Sequence, residues 1–208
     1  MKNRHDTKEY QVKLILLGDA NVGKSSIICR YIHSSYNNAI SSTIGASFYS
    51  KIMTKNNKIY RFEIWDTAGQ ERYEALIPMY SRGANVALVV YDITSILSFE
   101  KAKKWITCLT NDIVNMPLIV LIGNKADLKH NRKVLKTDVL FYVQENKLLF
   151  YETSVLDNNN SIKTIFDNIC DIIDKKKKKR KDIIDTNINL NDNKDSHNNG
   201  CFRFIPFI

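Results

Sequence analysis

The segment Gly18-Asp19-Ala20-Asn21-Val22-Gly23-Lys24-Ser25 limits this chain more than any other. It has the spacing Gly-x-x-x-x-Gly-Lys-Ser, follows the apolar strand pattern Lys13–Leu17 and opens a stretch of helical periodicity. A loop of this length between a buried strand and a helix wraps a phosphate in backbone N–H groups. Gly18 and Gly23 admit the tight backbone that side chains would block. The helix starting near Lys24 points its positive end at the same spot. Lys24 adds a point charge, Ser25 a hydroxyl suited to Mg²⁺, and Ala20, Asn21, Val22 and Ser26 complete the cradle. A chance glycine-rich turn would match the spacing but not the strand before it and the helix after it.

The rest of the chain alternates two periodicities. Tyr60, Phe62 and Ile64 alternate with Arg61, Glu63 and Trp65, a strand with one wetter face. Val86–Tyr91 and Leu118–Ile122 are short continuous apolar runs typical of central parallel strands, and Leu148–Tyr151 is a further candidate. Between them, Ile27, Ile28, Tyr31 and Ile32 share one helix face, as do Phe99, Ala102, Ile106 and Leu109. The longest stripe is Ile162, Ile165, Phe166, Ile169, Cys170 and Ile173. Strands alternating with helices predict an α/β fold, a doubly wound sheet with ligands at the C-terminal ends of its strands.

At 208 residues the expectation is one domain plus an appendage. Residues 1–10 read as a flexible N-terminus, 11–174 as the folded domain and 175–208 as a disordered polybasic tail. Much of the net charge of +9 lies in that tail, which carries nine Lys/Arg against four Asp, seven of them consecutive at Lys175–Lys181. Such a run repels itself, and the Asn/Asp-rich stretch after it has too little apolar content for a core. Cys29, Cys108, Cys170 and Cys201 form no CxxC pair, so neither a disulfide framework nor a zinc site is expected. The first ten residues include Lys2, Arg4, Asp6, Lys8 and Glu9, which do not make a secretory leader.

Two further segments each follow a strand pattern. Asp66-Thr67-Ala68-Gly69-Gln70 puts a carboxylate at a strand end, where it suits Mg²⁺. Gly69 can offer a backbone N–H to a terminal phosphate, and the Gln70 amide can orient an attacking water. Asn124-Lys125-Ala126-Asp127 follows Leu118–Ile122. The Asp127 carboxylate can accept the adjacent N1–H and exocyclic amine of guanine, a donor pair that adenine lacks. Asn124 can tie this loop to the phosphate loop, and the Lys125 stem can cover one face of the base.

Together these segments resemble Ras-like small GTPases, more closely the Rab family and within it the early-endosomal branch. Further carriers are Ser42-Thr43-Ile44-Gly45-Ala46-Ser47-Phe48, Phe62 to Tyr73, Pro78-Met79-Tyr80 and Val90-Tyr91-Asp92-Ile93-Thr94. The resemblance covers about residues 10 to 174. It implies a P-loop G domain with a six-stranded, mostly parallel sheet flanked by five helices. It implies a GTP/GDP switch in vesicle trafficking, with slow Mg²⁺-dependent GTP hydrolysis stimulated by an activating protein. Catalysis would rest on Gln70, Lys24 and Gly69, and the metal on Ser25, Thr43 and Asp66. Tyr36 would pack on the guanine edge, and Phe48, Trp65 and Tyr80 would be read by effectors. An exchange factor, a GDP-dissociation inhibitor and the cytosolic face of endosomal or other vesicle membranes are implied partners, and a monomer is expected.

The chain departs from the family pattern at three places. The last guanine loop reads Ser154-Val155-Leu156 where the family has Ser-Ala-Lys, which weakens the hold on guanine. Cys201 is followed by Phe202-Arg203-Phe204-Ile205-Pro206-Phe207-Ile208, not by a prenylation box. Ala20-Asn21 narrows the space for Gln70 and an incoming arginine. The basic run fits an anionic membrane contact or a solvated linker. It lacks aromatic interleaving, so no nucleic-acid partner is expected.

Overall fold

In a computed structural model, which describes residues 8–33, 43–69, 77–111, 116–157 and 160–195, the apolar runs named above are strands. The strands are β1 (Lys8–Leu17), β2 (Ala46–Lys55), β3 (Lys58–Thr67), β4 (Val86–Asp92), β5 (Leu118–Asn124) and β6 (Leu149–Glu152). The helices are α1 (Lys24–His33), α2 (Ile77–Ser81), α3 (Ile96–Thr110), α4 (Lys136–Glu145) and α5 (Ser161–Asp195). The strands form one sheet in the order β2-β3-β1-β4-β5-β6, parallel throughout except for the antiparallel β2–β3 pair.

All seven residues of β4 are buried, as are six of the seven in β5, because helices cover both faces of these central strands. One core layer joins Ile15, Leu17, Val89 and Tyr91 to Phe99, Ala102, Ile106 and Leu109 of α3, the stripe expected from spacing. On the other side Tyr31 of α1 stacks on Phe166 at 3.6 Å between ring centroids, with Phe62 edge-on to both. The parallel register brings the C-terminal ends of β1, β3, β4, β5 and β6 to one edge. Leu16 lies beside Asp66, Asp92 beside Asn124, and Gly123 beside Glu152.

Three features differ from the sequence expectation. β1 begins at Lys8, so residues 8–10 belong to the sheet and not to a flexible N-terminus. Lys8 pairs with Lys58, and Tyr10 is buried and stacked on Tyr60. Charged residues at 8 and 9 hide that strand because they lie at its exposed end. β2 carries no strong period because it is an edge strand with no fully buried residue. The chain also divides into two compact units, Met1–Asp167 and Asn168–Ile208, earlier than the Asp174 boundary. In the second unit α5 continues through the lysine run to Asp195. Lysine is a good helix former, and Asp174 pairs with Lys178 one turn on at 3.5 Å. The apolar stripe still ends at Ile173.

Candidate functional site

The phosphate loop runs from the end of β1 to the first turn of α1, which starts with Ile27 N–H donating to the Gly23 carbonyl at 3.0 Å. Gly18 and Gly23 have φ of 143° and 92°. A Cβ on Gly18 would overlap the Val90 carbonyl oxygen, and one on Gly23 would overlap the Asn124 side chain. Both glycines are therefore demanded by backbone shape and by crowding. Val22 is buried beneath the loop, Ala20 and Asn21 are exposed, and Ser26 is half-buried in the first turn of α1.

Lys24 is 5% exposed. Its ammonium donates to the Gly18 carbonyl at 3.0 Å and to the Asp19 carbonyl at 2.7 Å. Burial pushes its pKa down to about 8, against the opposing pull of Asp66 and Asp19. Asp19 is itself held by Lys101 of α3 at 2.8 Å.

Ser25 and Thr43 share a hydroxyl–hydroxyl hydrogen bond of 2.8 Å. Beside them Asp66 is fully buried, and neither carboxylate oxygen has a hydrogen-bond partner among the described residues. Burial raises its pKa, while the Ser25 hydroxyl, the Lys24 charge and the Thr43 hydroxyl pull it back in part. A buried carboxylate beside two hydroxyls that can serve as oxygen ligands fits a hard divalent cation. Two bonds hold this corner: Thr67 Oγ1 donates to the Leu16 carbonyl at 2.6 Å, and Ala68 N–H donates to the Gly45 carbonyl at 2.8 Å. Gly69 lies against the phosphate loop, where a Cβ would overlap the Asp19 carbonyl and the Lys24 ammonium.

At the end of β5 the Asn124 side-chain N–H donates to the Val22 carbonyl at 2.7 Å, the tie between base loop and phosphate loop expected from sequence. Lys125 has φ 63°, and its ammonium pairs with Asp92 at 2.6 Å. Asp92 also accepts the Thr94 N–H and hydroxyl at 2.8 and 2.7 Å. Burial raises the Asp92 pKa, but Lys125 and Thr94 outweigh it and hold the carboxyl below its usual range. Sequence reasoning gave Asp92 no role, although a lone carboxylate ending an all-apolar strand marks it out. Asp127 accepts from the Ser154 hydroxyl, which also accepts the Leu156 N–H at 3.1 Å. The Val155 side chain is buried and Leu156 is 58% exposed. The fourth cluster is aromatic: Trp65 lies 5.2 Å from Phe48 and 5.6 Å from Tyr80 between ring centroids. Tyr36, Gln70 and Cys201 lie outside the described residues.

A phosphate loop, a buried carboxylate over it and a base loop hydrogen-bonded to it define a P-loop nucleotide-binding G domain. The model of the Ras family matches residues 13–175. The Ras-related protein RABF2a of Arabidopsis thaliana is 47% identical over 159 residues, 76% of this chain and 79% of that protein. The Ras-related protein RHN1 of Nicotiana plumbaginifolia is 50% identical over 142 residues, covering 68% and 71% of the two chains. The Ras-related protein Rab-5A of Dictyostelium discoideum is 47% identical over 156 residues, covering 75% and 78%. The chain belongs to the Ras family, as a Rab small GTPase of the early-endosomal branch. It is a GTP hydrolase that binds GTP and GDP with Mg²⁺ and acts in endocytic trafficking through regulators and effectors. No helix among the described residues is long and apolar enough to cross a membrane.

Proposed function

We propose that the four clusters divide the work of a slow GTP-dependent switch. Lys24 exchanges its two carbonyl partners for the β- and γ-phosphates, whose charge restores its own. Ser25, Thr43 and Asp66 would hold Mg²⁺, which supplies neutralising charge at the β/γ bridge. The Gly69 N–H meets the γ-phosphate, and the Gln70 amide orients the attacking water without changing its own protonation. No arginine of this chain is placed by motif to act as a finger, so an activating protein supplies it, adding roughly 10³–10⁵ in rate. Asp127 reads guanine, Asn124 fixes the base loop to the phosphate loop, and Lys125 and Tyr36 cover the base. Ser154 orients Asp127, and Val155 offers its backbone N–H.

GTP orders Thr43 and the segment around Gln70, and effectors read that order through Phe48, Trp65 and Tyr80. The monomeric domain attaches peripherally to endosomal or other vesicle membranes through its basic tail, and a GDP-dissociation inhibitor retrieves it. The observation that carries this reading is the fully buried Asp66 carboxylate beside the Ser25–Thr43 hydroxyl pair. Competition among GTP, ATP and XTP tests the base assignment. The parent should prefer GTP over ATP, and Asp127→Asn should shift preference toward XTP. Equal affinity of the parent for GTP and ATP would overturn it.

A further inference from the structure

Beneath the two base loops, behind the residues expected to touch guanine, lies a polar cluster that the roles above do not use. Arg132 makes a two-pronged bond to Glu152, Nη1 to Oε1 at 2.9 Å and Nη2 to Oε2 at 3.0 Å. Both side chains are mostly buried, at 20% and 17% exposure. Arg132 also donates to the Val134 carbonyl at 3.4 Å, and Glu152 raises its pKa. Directly below sits Tyr91, fully buried, its hydroxyl without a hydrogen-bond partner among the described residues. A Cβ on Gly123 would lie 2.7 Å from that hydroxyl and 3.3 Å from Cγ of Glu152, so Tyr91 and the Arg132-bound Glu152 both come up against Gly123 of β5.

The position of this pair is what gives it meaning. Arg132 closes the segment that follows Asn124–Leu128, and Glu152 is the last residue of β6, two before Ser154. Their backbones join at the same place: Thr153 N–H donates to Gly123 at 2.9 Å and Ala126 N–H to Thr153 at 3.0 Å. Lys133 and Val134 N–H groups both donate to the Ile93 carbonyl, at 2.9 and 3.0 Å. Asp127 and Ser154, the residues that meet across the two loops, are thus carried on segments whose roots the Arg132–Glu152 pair holds together. A planar guanidinium fork fixes distance and angle at once, which a single point charge does not.

We infer that the Arg132–Glu152 pair is a positioning device that sets guanine selectivity and nucleotide retention by holding the Asp127 loop against the Ser154 loop. It deepens the base-site reading above and rests on it. With the fork gone, Glu152 is left as a partly buried charge beside the Tyr91 hydroxyl and draws in water or turns outward. The two loops then separate, and the carboxylate of Asp127 loses its fixed aim at the base. The phosphate loop, attached to β1 and α1, is untouched. Loss of base contact without loss of phosphate contact is the signature.

Release of fluorescent GDP and of fluorescent IDP, which lacks the exocyclic amine, tests this on the full chain loaded with Mg²⁺. In the parent, GDP should leave more slowly than IDP. Arg132→Ala should release GDP roughly tenfold faster while IDP release changes far less, because the gain specific to the amine is what the pair protects. Arg132→Lys keeps the charge and loses the fork, and should fall between, with its melting temperature near the parent's. Equal acceleration of both nucleotides would mark a merely structural residue and overturn the inference, as would unchanged release of both. If Arg132→Ala does not fold, the GDP-to-IDP ratio of Arg132→Lys decides in the same way. A parent that does not discriminate GDP from IDP but prefers GDP to ADP would refute the inference alone. A parent that accepts ADP as readily as GDP would refute the base-site reading beneath it.

Discussion

At the scale of single residues, Lys24 and Asp66 are both buried, and each is shifted toward its neutral form. For Lys24 the consequence has a definite sign. Its folded-state pKa, about 8, lies below the ordinary 10.5, so the nucleotide-free fold is penalised below pH 8 and relieved as pH rises toward 10.5. Phosphates favour the charged ammonium and raise that pKa again. Above about pH 8 nucleotide binding should therefore take up a proton, and affinity should fall as pH climbs. Titration calorimetry of GDP in buffers of different ionisation enthalpy checks this. Proton uptake should be small at about pH 7 and larger at about pH 8.5, and no buffer dependence at the higher pH would contradict it. Lys125 shows a different use of charge. Its ammonium pairs with Asp92 at 2.6 Å while its backbone takes a left-handed φ of 63°, so the head is anchored at the end of β4.

At the scale of elements, the strand-end junctions carry the candidate base contacts. The Ser154–Leu156 loop keeps the hydroxyl that orients Asp127 but presents an exposed leucine where the family has lysine. Leu156→Lys should slow GDP release a few-fold by adding a stem over the base at no packing cost, since the leucine is 58% exposed. Stopped-flow release of fluorescent GDP measures it; faster release would mean the position does not face the base. The start of α5 is anchored by Phe166, fully buried and stacked on Tyr31. Phe166→Ala should cost about 3–5 kcal/mol of stability through the cavity it leaves. Urea denaturation of the GDP-bound protein reads that loss, and a change under about 1 kcal/mol would contradict the anchoring role. Because Phe166 packs on Tyr31 and Phe62 and not on the base-loop residues, GTP-over-ATP preference should survive.

For the whole molecule, the net charge of +9 is carried disproportionately by the tail, and the proposed membrane attachment rests on that run. Seven consecutive Lys/Arg contribute up to about 1 kcal/mol each near an anionic surface, and stable anchoring takes a second signal. Unlipidated full-length protein should float with anionic liposomes at low salt and be released near about 0.5 M, where the Debye length is a few ångströms. Retention at high salt would assign attachment to Phe202, Phe204 and Phe207 instead. Failure to bind at low salt would leave lipidation as the route.

The sheet was legible from the chain because its central strands are buried on both faces, which forces the continuous apolar runs at Val86–Tyr91 and Leu118–Ile122. Edge strand β2 and helix α4 were not legible from period. β2 alternates only between half-buried and exposed positions, and α4 buries Val139 fully while Tyr142 and Val143 beside it are only partly covered, so neither shows a strong apolar stripe in sequence. Lys24, Ser25, Asp66, Asn124 and Asp127 could be named in advance because phosphate, Mg²⁺ and guanine chemistry demand particular groups at short, local spacing. Asp92 is marked only as a lone carboxylate ending an apolar strand, and its partner, like those of Lys101 and the Arg132–Glu152 pair, could not be named. Their partners lie 33, 82 and 20 residues away, and nothing in a one-dimensional pattern distinguishes a paired buried charge from a solvated one. The chain by itself therefore determined which chemistry is done and which residues are the candidates for it. The tertiary structure decided which charges hold those residues in place, because only the sheet register and the loop crossings bring distant partners within bonding reach.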